Sequence, residues 1–213
     1  MTFQSLGLGE PFERAARQRG YLGPTPIQAA AIPPVLAGRD VQGGARTGSG
    51  KTQAFGWPVL QRLADAGVPA SGQPRPVRAL VLAPTRELAA QIGEWLREDA
   101  QHLAVALKIV IAYGGVSINP QMIRLRGGAD IVVATPGRLL DLVEQNAVSL
   151  RDVQTLVLDE ADRLVDPGFA DELNRLLAML PPSRQTLLFS ATFPRNVQAL
   201  ADALLHDPVR IAL

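Results

Sequence analysis

The stretch Ala45-Arg46-Thr47-Gly48-Ser49-Gly50-Lys51-Thr52 follows a short run that reads as a strand, Asp40 to Gly43. It opens a segment, Lys51 to Leu63, whose apolar residues recur at helical spacing. A turn of small residues ending in Lys-Thr between a strand and a helix is the context of a phosphate-binding P-loop. Small residues let backbone N–H groups close around phosphate oxygens, and the helix N-terminus adds positive dipole. Lys51 reaches the β- and γ-phosphates, and Thr52 offers a hydroxyl to Mg²⁺. Of the 21 basic residues only Lys51 and Lys108 are lysine. A compact ammonium at 51 suits a loop that needs a point charge rather than a planar fork.

Working outward, the chain alternates short β-branched or leucine-rich runs with amphipathic segments, which implies βαβ units and an α/β fold with a mostly parallel central sheet and helices on both faces. Further strands are expected at Arg78 to Ala83, Leu107 to Ala112, Asp130 to Ala134, Thr155 to Leu158, Thr186 to Phe189 and Val209 to Ala212. Helices are expected at Glu87 to Ala100, Arg138 to Gln145 and Ala170 to Leu180. Thr25-Pro26 and Thr135-Pro136 each set a capping hydroxyl before a proline at the first helical position, and the first opens a helix to about Leu36. Residues 65 to 76 (DAGVPASGQPRP) read as an exposed loop within one domain.

A bound nucleotide needs a metal, and one apolar strand runs into acids: Thr155 to Leu158 leads to Asp159-Glu160-Ala161-Asp162. Asp159 at the strand's end can hold Mg²⁺ through water, and Glu160 can position or deprotonate the water that attacks the γ-phosphate. The reaction is then nucleotide hydrolysis rather than transfer, with Lys51, Asp159 and Glu160 as its catalytic candidates.

Composition narrows the alternatives. The 213 residues carry a formal net charge of +1, so a polyanion site must be local. With no cysteine and two histidines, His102 and His206, the chain excludes thiol nucleophiles and cysteine- or histidine-built metal centres. No apolar run approaches the roughly 18 residues of a membrane span, and the start carries no secretory pattern. A cytoplasmic setting is the expectation, with no membrane partner.

Asp159-Glu160-Ala161-Asp162 is the motif after which the DEAD-box RNA helicases are named, and the chain resembles the first RecA-like domain of that family throughout. Gly20-Tyr21-Leu-Gly-Pro-Thr25-Pro-Ile-Gln28 resembles its Q motif, with Phe3 standing 17 residues upstream of Gly20 as the isolated aromatic. Ala45 to Thr52 resembles motif I, Pro84-Thr85-Arg86-Glu-Leu-Ala-Ala-Gln91 motif Ia, and Gly114-Gly115 the GG element. Thr135-Pro136-Gly137-Arg138 resembles motif Ib, and Ser190-Ala191-Thr192 motif III. Gly115 to Gln121 looks most like the bacterial RhlE-type subgroup. Arg46 stands where the family commonly has Gln, and Leu164-Val-Asp-Pro167 where Met-Leu-Asp-Met is usual.

The resemblance implies a division of roles. Residues 1–36 form a Q-motif region packed on a RecA-like domain spanning 37–213, and a second RecA-like domain lies outside the chain and supplies an arginine across the cleft. ATP is bound by Phe3, Tyr21, Thr25, Gln28 and Ala45 to Thr52, and Mg²⁺ by Thr52 and Asp159. The Gln28 amide suits the N6 and N7 edge of adenine, with Tyr21 or Phe3 against the base. Backbone and short polar groups at Pro84, Thr85, Arg86, Gly114, Gly115 and Thr135 to Arg138 grip RNA without reading sequence. Asp162, Ser190, Ala191 and Thr192 couple nucleotide state to that grip. Local RNA unwinding is the expected activity, an ATP-gated RNA clamp the alternative and DNA unwinding a weaker one. Ribonucleoprotein or RNA-decay proteins are the implied partners. A GTPase switch is excluded, because no Asn-Lys-x-Asp element reads guanine.

Overall fold

In the computed structural model, which describes residues 1–213, the seven apolar runs form strands β1 (Val41–Gly44), β2 (Ala79–Leu82), β3 (Ile109–Ala112), β4 (Ile131–Ala134), β5 (Thr155–Leu158), β6 (Gln185–Ser190) and β7 (Val209–Ala212). They make one sheet in the order β3-β4-β2-β5-β6-β1-β7, and every pairing is parallel. Strands β2, β3 and β4 are buried along their whole length and read as unbroken apolar runs, whereas β1 carries Gln42 and the edge strand β7 exposes Arg210.

The period of two sorts these runs into two cores. Ala79, Val81, Ile131, Val133, Val157, Leu187 and Phe189 face one cluster of 31 buried residues; Leu80, Leu82, Val132, Ala134, Leu156, Leu158 and Leu188 face a second cluster of 25. Phe3, Leu6, Leu8 and Phe12 join the first cluster.

Helices α1 (Glu10–Gln18), α2 (Pro26–Leu36), α3 (Lys51–Asp65), α4 (Arg86–Ala100), α5 (Asn119–Leu125), α6 (Pro136–Glu144), α7 (Ala161–Leu164), α8 (Ala170–Ala178) and α9 (Arg195–Leu204) surround the sheet. Four of them, α1, α5, α7 and α9, lie outside the sequence expectation. In α9 Val197, Leu200, Ala201 and Leu204 form one stripe against the second cluster, and α7 is a single turn. No helix is long and apolar enough to cross a membrane.

Thr25 caps α2 as expected, in a capping box with Gln28, whose side chain accepts the Thr25 N–H at 2.9 Å; the Thr25 hydroxyl itself makes no close hydrogen bond. Thr135 precedes Pro136 at the start of α6 but its hydroxyl caps nothing. Thr85 supplies the hydroxyl cap that sequence reading missed, accepting from the Leu88 N–H at 3.2 Å at the start of α4.

Candidate functional site

The phosphate loop joins β1 to α3. Gly50 enters the helix at φ 93°, a left-handed conformation that glycine adopts freely, and a Cβ there would run into the Gln28 amide. The N–H groups of Gly48, Gly50, Lys51 and Thr52 find no acceptor in the protein, and Ser49 Oγ is buried with no partner. Such a cluster of orphan donors at a helix N-terminus is an anion site. Lys51 is buried and donates from Nζ to the Ala45 carbonyl at 2.8 Å, so its ammonium bridges the mouth of the loop. Arg46 and Thr47 are exposed there.

Beside the loop, β5 delivers Asp159, 3% exposed. Burial pushes its carboxyl up to about 6, against the pull of the Lys51 ammonium. One carboxylate oxygen accepts the Glu160 N–H at 2.9 Å. Glu160 sits at φ 49°, ψ 52°, a left-handed turn that costs a non-glycine residue on the order of 1–2 kcal/mol. Its carboxylate lies 3.2 Å from the exposed Arg163, a surface ion pair.

The Glu160 N–H is the one donor to the Asp159 carboxylate, and Thr52 stands in the first turn of α3 beside Lys51. Two hard oxygen donors fit Mg²⁺, which keeps several waters and takes phosphate oxygens. No cluster of three or more His, Asp or Glu side chains stands ready for a metal, and that coordination mode requires none.

Motif III folds back on the acidic turn. Ser190 Oγ accepts the Asp162 N–H at 3.1 Å and donates to the Thr192 carbonyl at 2.7 Å. Asp162 Oδ2 accepts from both the N–H (3.1 Å) and the hydroxyl (3.0 Å) of Thr192. Ala191, between them, is exposed.

The Q region reaches the loop through α2. Gln28 is 1% exposed, and its Nε2 donates to the Gly50 carbonyl at 3.2 Å. Each end of the amide is thus engaged once by backbone, which leaves one N–H and one carbonyl lone pair. Tyr21 is 37% exposed and available to a base. Phe3 is not: it is 2% exposed and meets Trp57 edge-on with ring centroids 4.8 Å apart. The expectation that Phe3 could lie against the base is corrected, because its ring is sealed in the core.

The remaining residues gather on the other half of the sheet. Pro84, Thr85 and Arg86 follow β2, Thr135 to Arg138 follow β4, and Gly114 and Gly115 follow β3. Gly115, at φ 79°, lies beside the exposed Arg86; a Cβ on it would stand 3.6 Å from Nη1. Arg138 stands in the first turn of α6. Its side chain is 10% exposed and donates to the Val116 carbonyl at 2.8 Å, with Asp141 3.6 Å away. It braces the GG loop against the start of α6.

A seven-stranded parallel sheet with a P-loop at β1 and an acidic turn at β5 defines a RecA-like nucleotide-binding domain of the P-loop class. The chain belongs to the DEAD/DEAH box helicase family, whose model matches residues 25–200. It is 44% identical over 213 residues to the ATP-dependent rRNA helicase RRP3 of Gibberella zeae, covering 100% of this chain and 42% of that protein. It is 44% identical over 211 residues to a probable ATP-dependent RNA helicase, ddx27, of Dictyostelium discoideum, covering 99% and 26%. A crystal structure of a DEAD box protein from the hyperthermophile Methanococcus jannaschii superposes with a TM-score of 0.87 at 36% identity, covering all of this chain and 56% of that one. The chain spans less than half the length of the curated relatives it matches.

Proposed function

We propose that this chain is the ATP-binding and RNA-gripping first domain of an RNA helicase, working with a second RecA-like domain to separate short duplexes locally. One observation carries the reading. The C-terminal ends of adjacent strands β1, β6 and β5 hold the phosphate loop, motif III and the acidic turn, while those of adjacent strands β2, β4 and β3 hold the groups suited to RNA. Open α/β sheets bind ligands at such ends, and the Ser190–Asp162–Thr192 bonds sit at the nucleotide side of the boundary.

The residues divide the work. The loop N–H groups and Lys51 hold phosphate, Gln28 and Tyr21 contact adenine, and Thr52 and Asp159 hold Mg²⁺. When bound, Mg²⁺ neutralises charge on the β- and γ-phosphates. Glu160 accepts a proton from the attacking water, and Ser190 and Thr192 report the state of the acidic turn. Thr85, Arg86, Gly115 and Gly137 meet the RNA backbone without reading bases, and Arg138 positions two of these loops. Ribonucleoprotein or RNA-decay factors in the cytoplasm are the partner class we expect. Placement in the RhlE-type subgroup rests on Gly115 to Gln121 alone, since the relatives described above are eukaryotic and archaeal.

Steady-state ATP hydrolysis with and without single-stranded RNA, beside Glu160→Gln and an ADP titration, tests the reading. ADP binding with negligible turnover by the 213-residue chain supports a half-site awaiting its partner domain. RNA-stimulated turnover by this chain, abolished in Glu160→Gln, overturns the two-domain requirement.

A further inference from the structure

Trp57 lies in α3 two turns beyond Lys51, wholly buried, and its indole is more than packing. The ring faces Phe3, Phe12 at 5.9 Å and Tyr21 at 6.1 Å, while Nε1–H donates to Asp99 Oδ2 at 2.8 Å. Asp99, 3% exposed in the last turn of α4, uses its other oxygen to accept from Arg19 Nε at 2.9 Å. Burial raises the Asp99 carboxyl, and the Trp57 and Arg19 contacts oppose that rise. Arg19 is the C-terminal cap of α1, two residues before Tyr21, and also reaches Glu98 at 3.0 Å and the face of Trp95 at 5.9 Å.

Three elements therefore meet at one buried carboxyl. Beside it a cavity of about 370 Å³ is lined by Ala15, Gln18, Arg19, Tyr21, Glu98 and Asp99. Space of that size leaves Tyr21 room to move unless Trp57 and Arg19 hold it.

We infer that the Arg19–Asp99–Trp57 chain of bonds is a positioning device for base recognition: it fixes the Tyr21 ring relative to the phosphate loop and so sets nucleotide affinity without touching the nucleotide. The inference rests on the reading of Tyr21 as an adenine-contacting residue. A platform held in place before binding loses less freedom on binding, which tightens the complex. Trp57 ties the platform to the helix that Lys51 begins, and Asp99 ties it to the helix that Arg86 begins.

Calorimetric titration of the 213-residue chain with ADP and, separately, with magnesium pyrophosphate tests this. Trp57→Phe keeps the ring and removes the donor; Arg19→Gln removes the ion pair at a partly exposed position and keeps the test open should Trp57→Phe fold poorly. Both should weaken ADP roughly fivefold and leave pyrophosphate unchanged, while Tyr21→Ala weakens ADP about tenfold. In the Tyr21→Ala background, Arg19→Gln should have no further effect, because its action passes through that ring. An undiminished effect of Arg19→Gln in that background overturns the inference. So does an unchanged ADP affinity in Arg19→Gln while Tyr21→Ala is impaired, since the network then serves the fold alone. If Tyr21→Ala binds ADP as tightly as the parent, the adenine reading itself fails, and the inference with it.

Discussion

Gln28 Nε2 donates to the Gly50 carbonyl at 3.2 Å, joining the first turn of α2 to the last residue of the phosphate loop. Its Oε1 simultaneously accepts the Thr25 N–H, so the side chain that faces adenine in our reading also sets the shape of the loop that faces phosphate. Base identity and loop geometry are linked through one amide.

Replacing Gln28 should therefore do two things at once. Gln28→Ala leaves the Thr25 N–H without a partner and takes from the Gly50 carbonyl one of its two donors, the Ala54 N–H remaining, a loss of about 1–3 kcal/mol in stability. It also removes the donor and acceptor that distinguish adenine from guanine. Calorimetry should show ADP affinity falling about tenfold toward that of GDP, with the two converging. Retained preference for ADP would assign base selection to another residue.

Asp130 should behave oppositely, as a fold residue remote from the chemistry. It is fully buried at the start of β4, accepts from Arg78 Nη2 at 2.7 Å and the Lys108 N–H at 2.8 Å, and pairs with Arg75. Asp130→Ala leaves buried Arg78 uncompensated and should cost about 3–5 kcal/mol, lowering the melting temperature by roughly 10 °C for a chain this size. ADP affinity measured below that transition should not change, because Asp130 lies at the strand ends opposite the phosphate loop.

The contrast between Gln28 and Asp130 also shows what was legible in the sequence. Local patterns announce themselves: short apolar or β-branched runs between helical stretches marked the seven strands, and Gly-Ser-Gly-Lys-Thr and Asp-Glu-Ala-Asp each carry their chemistry in adjacent residues. Relationships that need the fold do not. Asp130 meets Arg78 only because β2 and β4 are neighbours, an order that no window of sequence contains. Phe3 looked like a base-stacking aromatic until packing placed it edge-on against Trp57. The bond from Arg138 to the Val116 carbonyl exists only because the fold brings the start of α6 against the GG loop. The helix α7 escaped for a simpler reason, since a single turn gives too little periodicity to read.

The bonds from Ser190 and Thr192 to Asp162 make a prediction about coupling. In the protein with its second domain, Ser190→Ala with Thr192→Ala removes the acceptor of the Asp162 N–H and one of two donors to its carboxylate, while Asp159 and Glu160 keep their own contacts. RNA-stimulated ATP turnover should stay within about threefold of the parent, because loss of a few hydrogen bonds outside the reacting groups has limited effect on the barrier. Duplex unwinding should fall by a larger factor. Equal retention of both activities would remove motif III from the coupling path.

Asp159 gives the sharpest pH test. Its carboxyl is raised from 3.8 to about 6 in the folded chain, chiefly by burial. The folded state thus binds the proton more tightly than the unfolded state, and stability falls as pH rises from about 4 to 6 and stays lowered above that. Two units correspond to about 2–3 kcal/mol at pH 7.5. Asp159→Asn carries no charge and keeps an acceptor for the Glu160 N–H, so it should melt several degrees higher than the parent at pH 7.5, with the gain shrinking toward zero near pH 4. Function should move the other way. Mg²⁺ requires the ionised carboxylate, so the tightening of ADP binding by Mg²⁺ should be full at pH 7.5, fade through pH 6 in the parent and be lost in Asp159→Asn at every pH. A Mg²⁺ effect independent of pH between 5 and 7.5 would place the ion on other ligands. A buried acid that weakens the fold at neutral pH and recovers its value when a cation arrives is then the reason ligand and metal together should stabilise this domain more than either alone.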